Sequence, residues 1–388
     1  VNGQTDPDGR RATEPAQEPG PAARGSGRRR GRRAEEGGRT GRSTIRDVAA
    51  QAGVSVATVS RVLAENYPVA PATRQRVLRA IRDLDYVANA HARALAGVGT
   101  ETVAFVVEDV RGPSFAHAAH GVEQETARRG RLCLVCATGG DPRRELAVVK
   151  LMREQRAGAV ILVGGIEDSP TYRARMAEFA QSLESAGSRL VLCGRPPLGE
   201  DVPATVVEYD NEGGAYGLSS HLLSAGHRRI LFLGGLATHT TTAGRLAGHN
   251  RALADHGVEA DPALVENGDF TRAYGYRRTR ERIAAGVDFT AVFAGTDMVA
   301  AGALEAITEA GLRVPDDISL VGFDDIPLAS DLTPKLTTVH VPYEELGRAA
   351  VRLALDRRER GGDRTEQHLV LGTHVVVRQS VRNVRRGG

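Results

Sequence analysis

The apolar positions of residues 44–63, TIRDVAAQAGVSVATVSRVL, recur at helical spacing in two short runs. Ile45, Val48 and Ala49 give the first run one apolar face, and Val54, Thr58, Val59 and Val62 give the second. Gly53 falls between them, where a tight turn needs a residue that accepts positive φ. Ser55 is placed to cap the second run. The pattern predicts a helix-turn-helix whose second helix is sized for the major groove, which implies DNA as a partner. A third helix is expected over residues 71–84, with Thr73 near its start and Val77, Leu78, Ile81 and Leu84 as its apolar stripe.

Beyond residue 101 the periodicity changes. Apolar runs such as TVAFVV, LCLVCA, AVILVG, RLVLCG, RRILFLGG, TAVFAG and DISLVGFDD alternate with helical stretches at 115–129, 142–156, 171–186, 211–225, 243–256, 270–285 and 297–310. That alternation predicts parallel sheets with helices on both faces. The strands are too many for one comfortable sheet, so two α/β lobes are expected. Ligands in such folds bind beyond the carboxyl ends of the strands, so the residues just after each strand are the pocket candidates.

The 388 residues suffice for two or three domains. The net charge is only +3, but its distribution is uneven. Residues 1–42 carry ten Arg against six acids, and residues 43–97 seven Arg against four. Positive charge therefore gathers beside the helix-turn-helix, where phosphates would be met. Residues 1–42 are rich in Gly, Pro, Arg and Glu and are expected to be a disordered Arg-rich tail. Its run Arg28, Arg29, Arg30, Arg32, Arg33 is either a weak DNA contact or a tail without function. Arg outnumbers Lys 49 to 2, a sign of a GC-rich genome rather than of function.

Cys133, Cys136 and Cys193 sit in or beside apolar runs and are expected to be buried, reduced thiols rather than a zinc or redox pair. His117 and His120 have no partner ligands at motif spacing, and no metal site is expected. The chain contains no G-x-S-x-G, no Walker loop and no H-E-x-x-H. No catalytic residue and no cofactor is expected. With no signal-peptide core and no apolar run of 18 residues, the expected location is cytoplasmic, without membrane contact.

Four motifs in order carry a family resemblance: TIRDVAAQAGVSVATVSRVL; YVANAHARALAG at 86–97; GRLAGH at 244–249; and AVFAGTDMVAAGAL with GLRVPDDISLVGFDD, followed by LTTVHVPYEELGR. The chain resembles the lactose-repressor/galactose-repressor (LacI/GalR) family of bacterial transcription regulators over residues 44 to about 382. The resemblance implies a helix-turn-helix domain at 43–88, a hinge helix and linker at 89–100, and a core at 101–388. The core is expected to be periplasmic-binding-protein-like, with two doubly wound lobes that bind effector and dimerise. The implied function is a dimeric repressor of a palindromic operator, regulated by a small molecule.

At the DNA end the family's base-reading positions fall on Val56, Ala57 and Arg61. Arg61 can donate two bonds to guanine, or serve a phosphate, while Val56 and Ala57 offer methyl surface. Thr44, Ser55, Thr58 and Ser60 are short donors suited to phosphates, with capping as the rival role for Ser60. In the hinge, Asn89 can cap a helix, Ala92 and Leu95 share a face, and the resemblance makes Leu95 a minor-groove wedge. Ala88 departs from the family's usual hinge Pro, which puts the order of the hinge in question.

At the ligand end Ser114, Phe115, His239, Thr241, Arg245, Phe293 and Asp324 follow strands or open helices. Arg245 and Asp324 are the principal pair, suited to sugar hydroxyls and also to a purine edge. Phe115 and Phe293 can supply apolar faces or simply pack in the core. Asp325 is expected to cap or pair locally. A sugar is the expected effector; a purine- or nucleoside-responsive corepressed regulator of the same fold and a pure sugar-binding protein are the alternatives.

Overall fold

The computed structural model of the protein describes residues 43–64, 67–86, 102–359 and 368–384. The N-terminal tail and the hinge positions Ala88, Asn89, Ala92 and Leu95 lie outside the described residues. The described residues fall into two compact units, one of residues 43–59 and 70–86 and the other of the remaining described residues.

The helical unit begins with α1, Ile45–Ala52. Thr44 opens it with a capping box: its hydroxyl accepts from the Asp47 amide, and its own amide donates to Asp47 Oδ2 at 2.8 Å. Gly53 closes it at φ 65°, ψ 43°, a left-handed conformation that a Cβ would penalise. α2, Val56–Ala64, starts where Ser55 Oγ accepts from the Thr58 amide at 3.1 Å. α3, Pro71–Asp83, has proline in its first turn, where a missing N–H costs nothing. Val48, Val59 and Val77, one from each helix, are wholly buried.

The α/β unit starts its first lobe with β1 (Thr102–Val107), α4 (Pro113–Arg128), β2 (Leu132–Ala137), α5 (Pro142–Glu154) and β3 (Ala159–Val163). α6 (Pro170–Ser185), β4 (Arg189–Cys193) and β5 (Ala204–Tyr209) follow. The chain then crosses into the second lobe. There it forms α7 (Asn211–Ser224), β6 (Ile230–Leu233), α8 (Thr240–Asp255), β7 (Val265–Glu266) and α9 (Arg272–Ala284). β8 (Ala291–Ala294), α10 (Asp297–Glu309), β9 (Ser319–Val321), α11 (Leu328–Asp331) and β10 (Thr338–His340) complete that passage. It returns through α12 (Tyr343–Glu359) and β11 (His368–Leu371), and crosses again into β12 (His374–Val376).

The first sheet has the order β11-β5-β4-β3-β1-β2 and the second β7-β6-β8-β9, every pair parallel. β10 and β12 pair antiparallel beside the crossings. The continuous apolar run of β1 follows from burial on both faces: Val103, Phe105 and Val107 join one core layer and Ala104 and Val106 the opposite one. β2 differs. It is the edge strand, and Leu132, Leu134 and Val135 are exposed. Its thiols Cys133 and Cys136 are accordingly half-buried rather than buried, because an edge strand is covered on one side only.

Candidate functional site

On α2 the side chains of Val56, Ala57 and Arg61 are exposed, while Val59 between them is buried. Thr44 and Ser55 are exposed but act as helix caps, and Thr58 shares a 2.9 Å bond with the Ser55 hydroxyl. Ser60 is half-buried. This surface offers an arginine fork, two small apolar side chains and short hydroxyls on one short helix start, a composition suited to a DNA groove and its flanking phosphates.

In the α/β unit three chain crossings join the lobes, at 209–211, 340–343 and 371–374. Arg245 leaves α8 toward them. Its Nε donates to Asn211 Oδ1 at 2.9 Å and its Nη1 to the Gly295 carbonyl. Nη2 donates to Asp324 Oδ1 at 3.2 Å and to Tyr209 Oη at 3.4 Å. The guanidinium lies 3.8 Å from the centre of the Phe323 ring, close enough for cation–π attraction in a dry site.

Asp324 sits in a sharp loop after β9, with φ 112°. Its Oδ1 also accepts from Tyr343 Oη at 2.8 Å, whereas Oδ2 takes no hydrogen bond from the described residues. Burial pushes the Asp324 carboxyl up, against the pull of Arg245, and pushes the Tyr343 phenol well above its ordinary range. Asp297, itself wholly buried, holds the loop from behind: it accepts from the Ile326 amide at 2.9 Å and from Thr338 Oγ1 at 2.6 Å. Asp325 turns away and pairs with Arg378 at 2.6 Å and His340 at 3.0 Å.

Tyr209 ends the strand before one crossing, Asn211 begins the helix after it, and Tyr343 begins the helix after the next. The Arg245–Asp324 pair thus ties two of the three crossings together, at 209–211 and 340–343. Sequence reasoning missed Tyr209, Asn211, Phe323 and Tyr343. The rule of strand carboxyl ends would have reached Tyr209 and Asn211 had ATVVEY been read as a strand.

The remaining candidates divide. Phe115 packs against Gly164 at the carboxyl end of β3, and Ser114 precedes it at the start of α4. Thr241 and His239 face Gly165 across the cleft between the lobes. Phe293 does not join them. It is wholly buried, its ring centre 5.0 Å from that of Phe232 and edge-to-face with His249 at 5.7 Å, because that face of β8 points into the layer under α8.

Burial pushes the Cys133 thiol to about 11 and the Cys193 thiol to about 12, and raises Cys136 as well, away from the thiolate form. His120 Nε2 is bonded to Gln124 at 2.8 Å. Among the described residues no group of three His, Cys, Asp or Glu could hold a metal ion, and no helix is long and apolar enough to cross a membrane.

Comparison with known proteins agrees with both halves. Residues 44–89 match the family described as bacterial regulatory proteins, lacI family, and residues 219–381 match the periplasmic binding protein-like domain. The HTH-type transcriptional regulator CelR of Thermobifida fusca is 37% identical over 345 residues, covering 87% of this chain and 98% of CelR. The HTH-type transcriptional repressor PurR of Photobacterium profundum is 32% identical over 347 residues, covering 88% and 99%. Among solved structures, a CelR–cellobiose complex superposes with TM-score 0.64 at 34% identity, covering 87% of this chain and 100% of the other. The lac repressor dimer bound to operator and an anti-inducer superposes with TM-score 0.74 at 26% identity, covering 88% and 99%. These relatives are regulators, not enzymes, and they match this chain over both its helix-turn-helix and its α/β core. The chain belongs to the LacI family of bacterial transcriptional regulators.

Proposed function

We propose that this protein represses transcription from a palindromic operator as a homodimer, and that its effector is a neutral, hydroxyl-rich sugar. The observation that carries the effector reading is the Arg245–Asp324 pair. Its two buried charges neutralise one another, so the site presents no net charge from them to a ligand. What they leave is an unused carboxylate oxygen for hydroxyl donors, framed by aromatic side chains. A phosphorylated ligand would find no unpaired cation in this pair. The relative whose structure holds cellobiose supports the same class.

Ser114, Phe115, His239, Thr241, Arg245 and Asp324 are the proposed effector contacts. At the operator, Arg61, Val56 and Ala57 read base edges, and Thr44, Ser55, Thr58 and Ser60 meet phosphates. Asn89, Ala92 and Leu95 form the hinge, with Leu95 as the wedge. Dimerisation fits the exposed edge strand β2, whose Leu132 and Leu134 on one face and Val135 on the other a second copy would cover.

A purine remains the second reading, favoured by the PurR relatives. A thermal-shift screen with cellobiose and other neutral sugars in one arm and purine bases in the other separates them. A ligand at 100 times its dissociation constant stabilises by about 2.7 kcal/mol. Stabilisation by sugars alone is expected, and stabilisation by purines alone overturns the sugar reading.

A further inference from the structure

A second buried ion pair lies in the first lobe, away from Arg245. Arg195 follows β4, with its side chain 4% exposed. All five of its N–H groups are used. Nε donates to the Gly164 carbonyl at 2.8 Å; Nη1 to Glu145 Oε1 at 3.0 Å and Tyr172 Oη at 2.5 Å; Nη2 to Glu145 Oε2 at 2.7 Å and the Val163 carbonyl at 3.2 Å. Arg195 therefore has no donor left for a ligand. Burying an ion pair is costly and an apolar pair would serve packing as well, so the arrangement asks for another role.

Its two backbone partners supply one. Val163 ends β3, and Gly164 begins the loop that reaches the other lobe. Two residues on, the Thr240 amide donates to the Ile166 carbonyl at 2.9 Å, and the Ile166 amide donates to Thr240 Oγ1 at 3.1 Å. Glu167 and His239 form an antiparallel bridge. Gly165, just before Ile166, has no room for a side chain: a Cβ there would collide with the Thr241 hydroxyl and the His239 ring. Gly164 is left-handed, φ 86°, with Phe115 against it. Thr240 opens α8, the helix that carries Arg245.

We propose that Arg195 is a positioning residue for lobe closure. Its five-point fork fixes the end of β3 so that residues 164–167 latch onto the start of α8, and it sets how readily the cleft closes without touching what the cleft holds. The consequence for effector response rests on the cleft being the effector site; the test does not, because it uses no effector.

Residue-resolved hydrogen exchange on the full-length, ligand-free protein reads the latch through the Ile166 and Thr240 amides. Losing a charged hydrogen-bond fork, Arg195→Lys should speed exchange at both by about tenfold and leave the β1 and β4 amides within about twofold. Tyr172→Phe, which removes one hydroxyl, should do the same more weakly and serves if the lysine variant does not fold. Combined with Thr240→Val, the Arg195→Lys effect at residue 240 should be less than additive. Equal acceleration across the first sheet, no change at the two amides, or no protection of them in the parent chain overturns the proposal. None of these outcomes bears on whether the effector is a sugar.

Discussion

Arg245 and Asp324 meet at 3.2 Å with side chains only 2% and 6% exposed, at the junction of the chain crossings between the lobes. Removing one partner of such a pair strands the other charge in a dry site, at a cost of about 3–5 kcal/mol. Asp324→Asn is the cleanest probe, because asparagine also accepts positive φ. It should lower stability to urea by about 3 kcal/mol and abolish the effector's influence on operator affinity, while binding to operator without effector persists. Unchanged effector response would detach the pair from the ligand site.

Two substitutions in the helical unit should part company. Thr44→Ala removes the α1 cap and should destabilise by about 1 kcal/mol, weakening all DNA binding alike. Arg61→Ala removes nothing structural, since Arg61 is exposed. It should lose about 1–3 kcal/mol of discrimination at one base pair in each half-site. Competition binding against single-base operator variants, alongside thermal melts, distinguishes the two. Uniform weakening by Arg61→Ala would assign it to phosphate instead.

The exposed strand β2 predicts a dimer that charge can break. Leu134 is 44% exposed, so Leu134→Lys should fold normally. Lysine on a strand edge opposes edge contacts, and the dimer dissociation constant in sedimentation equilibrium should rise by at least about tenfold. A variant that stays fully dimeric would move the interface elsewhere.

Burial holds His227 and His249 at about 4, so both are neutral in the native protein. In the unfolded chain they take up protons below about pH 6.5. Their contribution to stability is therefore complete above pH 6.5 and is lost as pH falls toward 4. Each group contributes a slope of up to about 1.4 kcal/mol per pH unit in that window. Urea unfolding should show a lower free energy at pH 5 than at pH 7, and His249→Gln should flatten the difference. An equal pH dependence in both proteins would contradict the assignment to His249.

What the chain discloses by itself follows the range of the interactions. The helix-turn-helix is local: Thr44, Gly53 and Ser55 act within a turn of their own position, so they are visible before folding. The βα alternation is likewise local. The exposure of β2 is not, because whether LCLVCA lies inside or at the edge depends on strand order, which residues elsewhere decide. Phe293 shows the same limit: at the end of its strand run it is suited to the cleft or to the core, and the packing of Phe232 and His249 beside it puts it in the core. The Arg195–Glu145–Tyr172 cluster joins residues up to 50 positions apart, with no motif to announce it. Arg245 and Asp324 are legible because they follow strands, and Asn211 after ATVVEY is within reach of the same rule; Tyr343 meets Asp324 only through the crossing at 340–343.

The most direct test of an effector-controlled operator binder is an anisotropy titration of the full-length chain with a palindromic DNA recovered by selection from random sequence. It is run beside scrambled DNA, with and without the sugar that gives the largest thermal shift. Specific binding that the sugar changes by about 5–150-fold is the predicted result. Equal affinity for selected and scrambled DNA under every condition would contradict it.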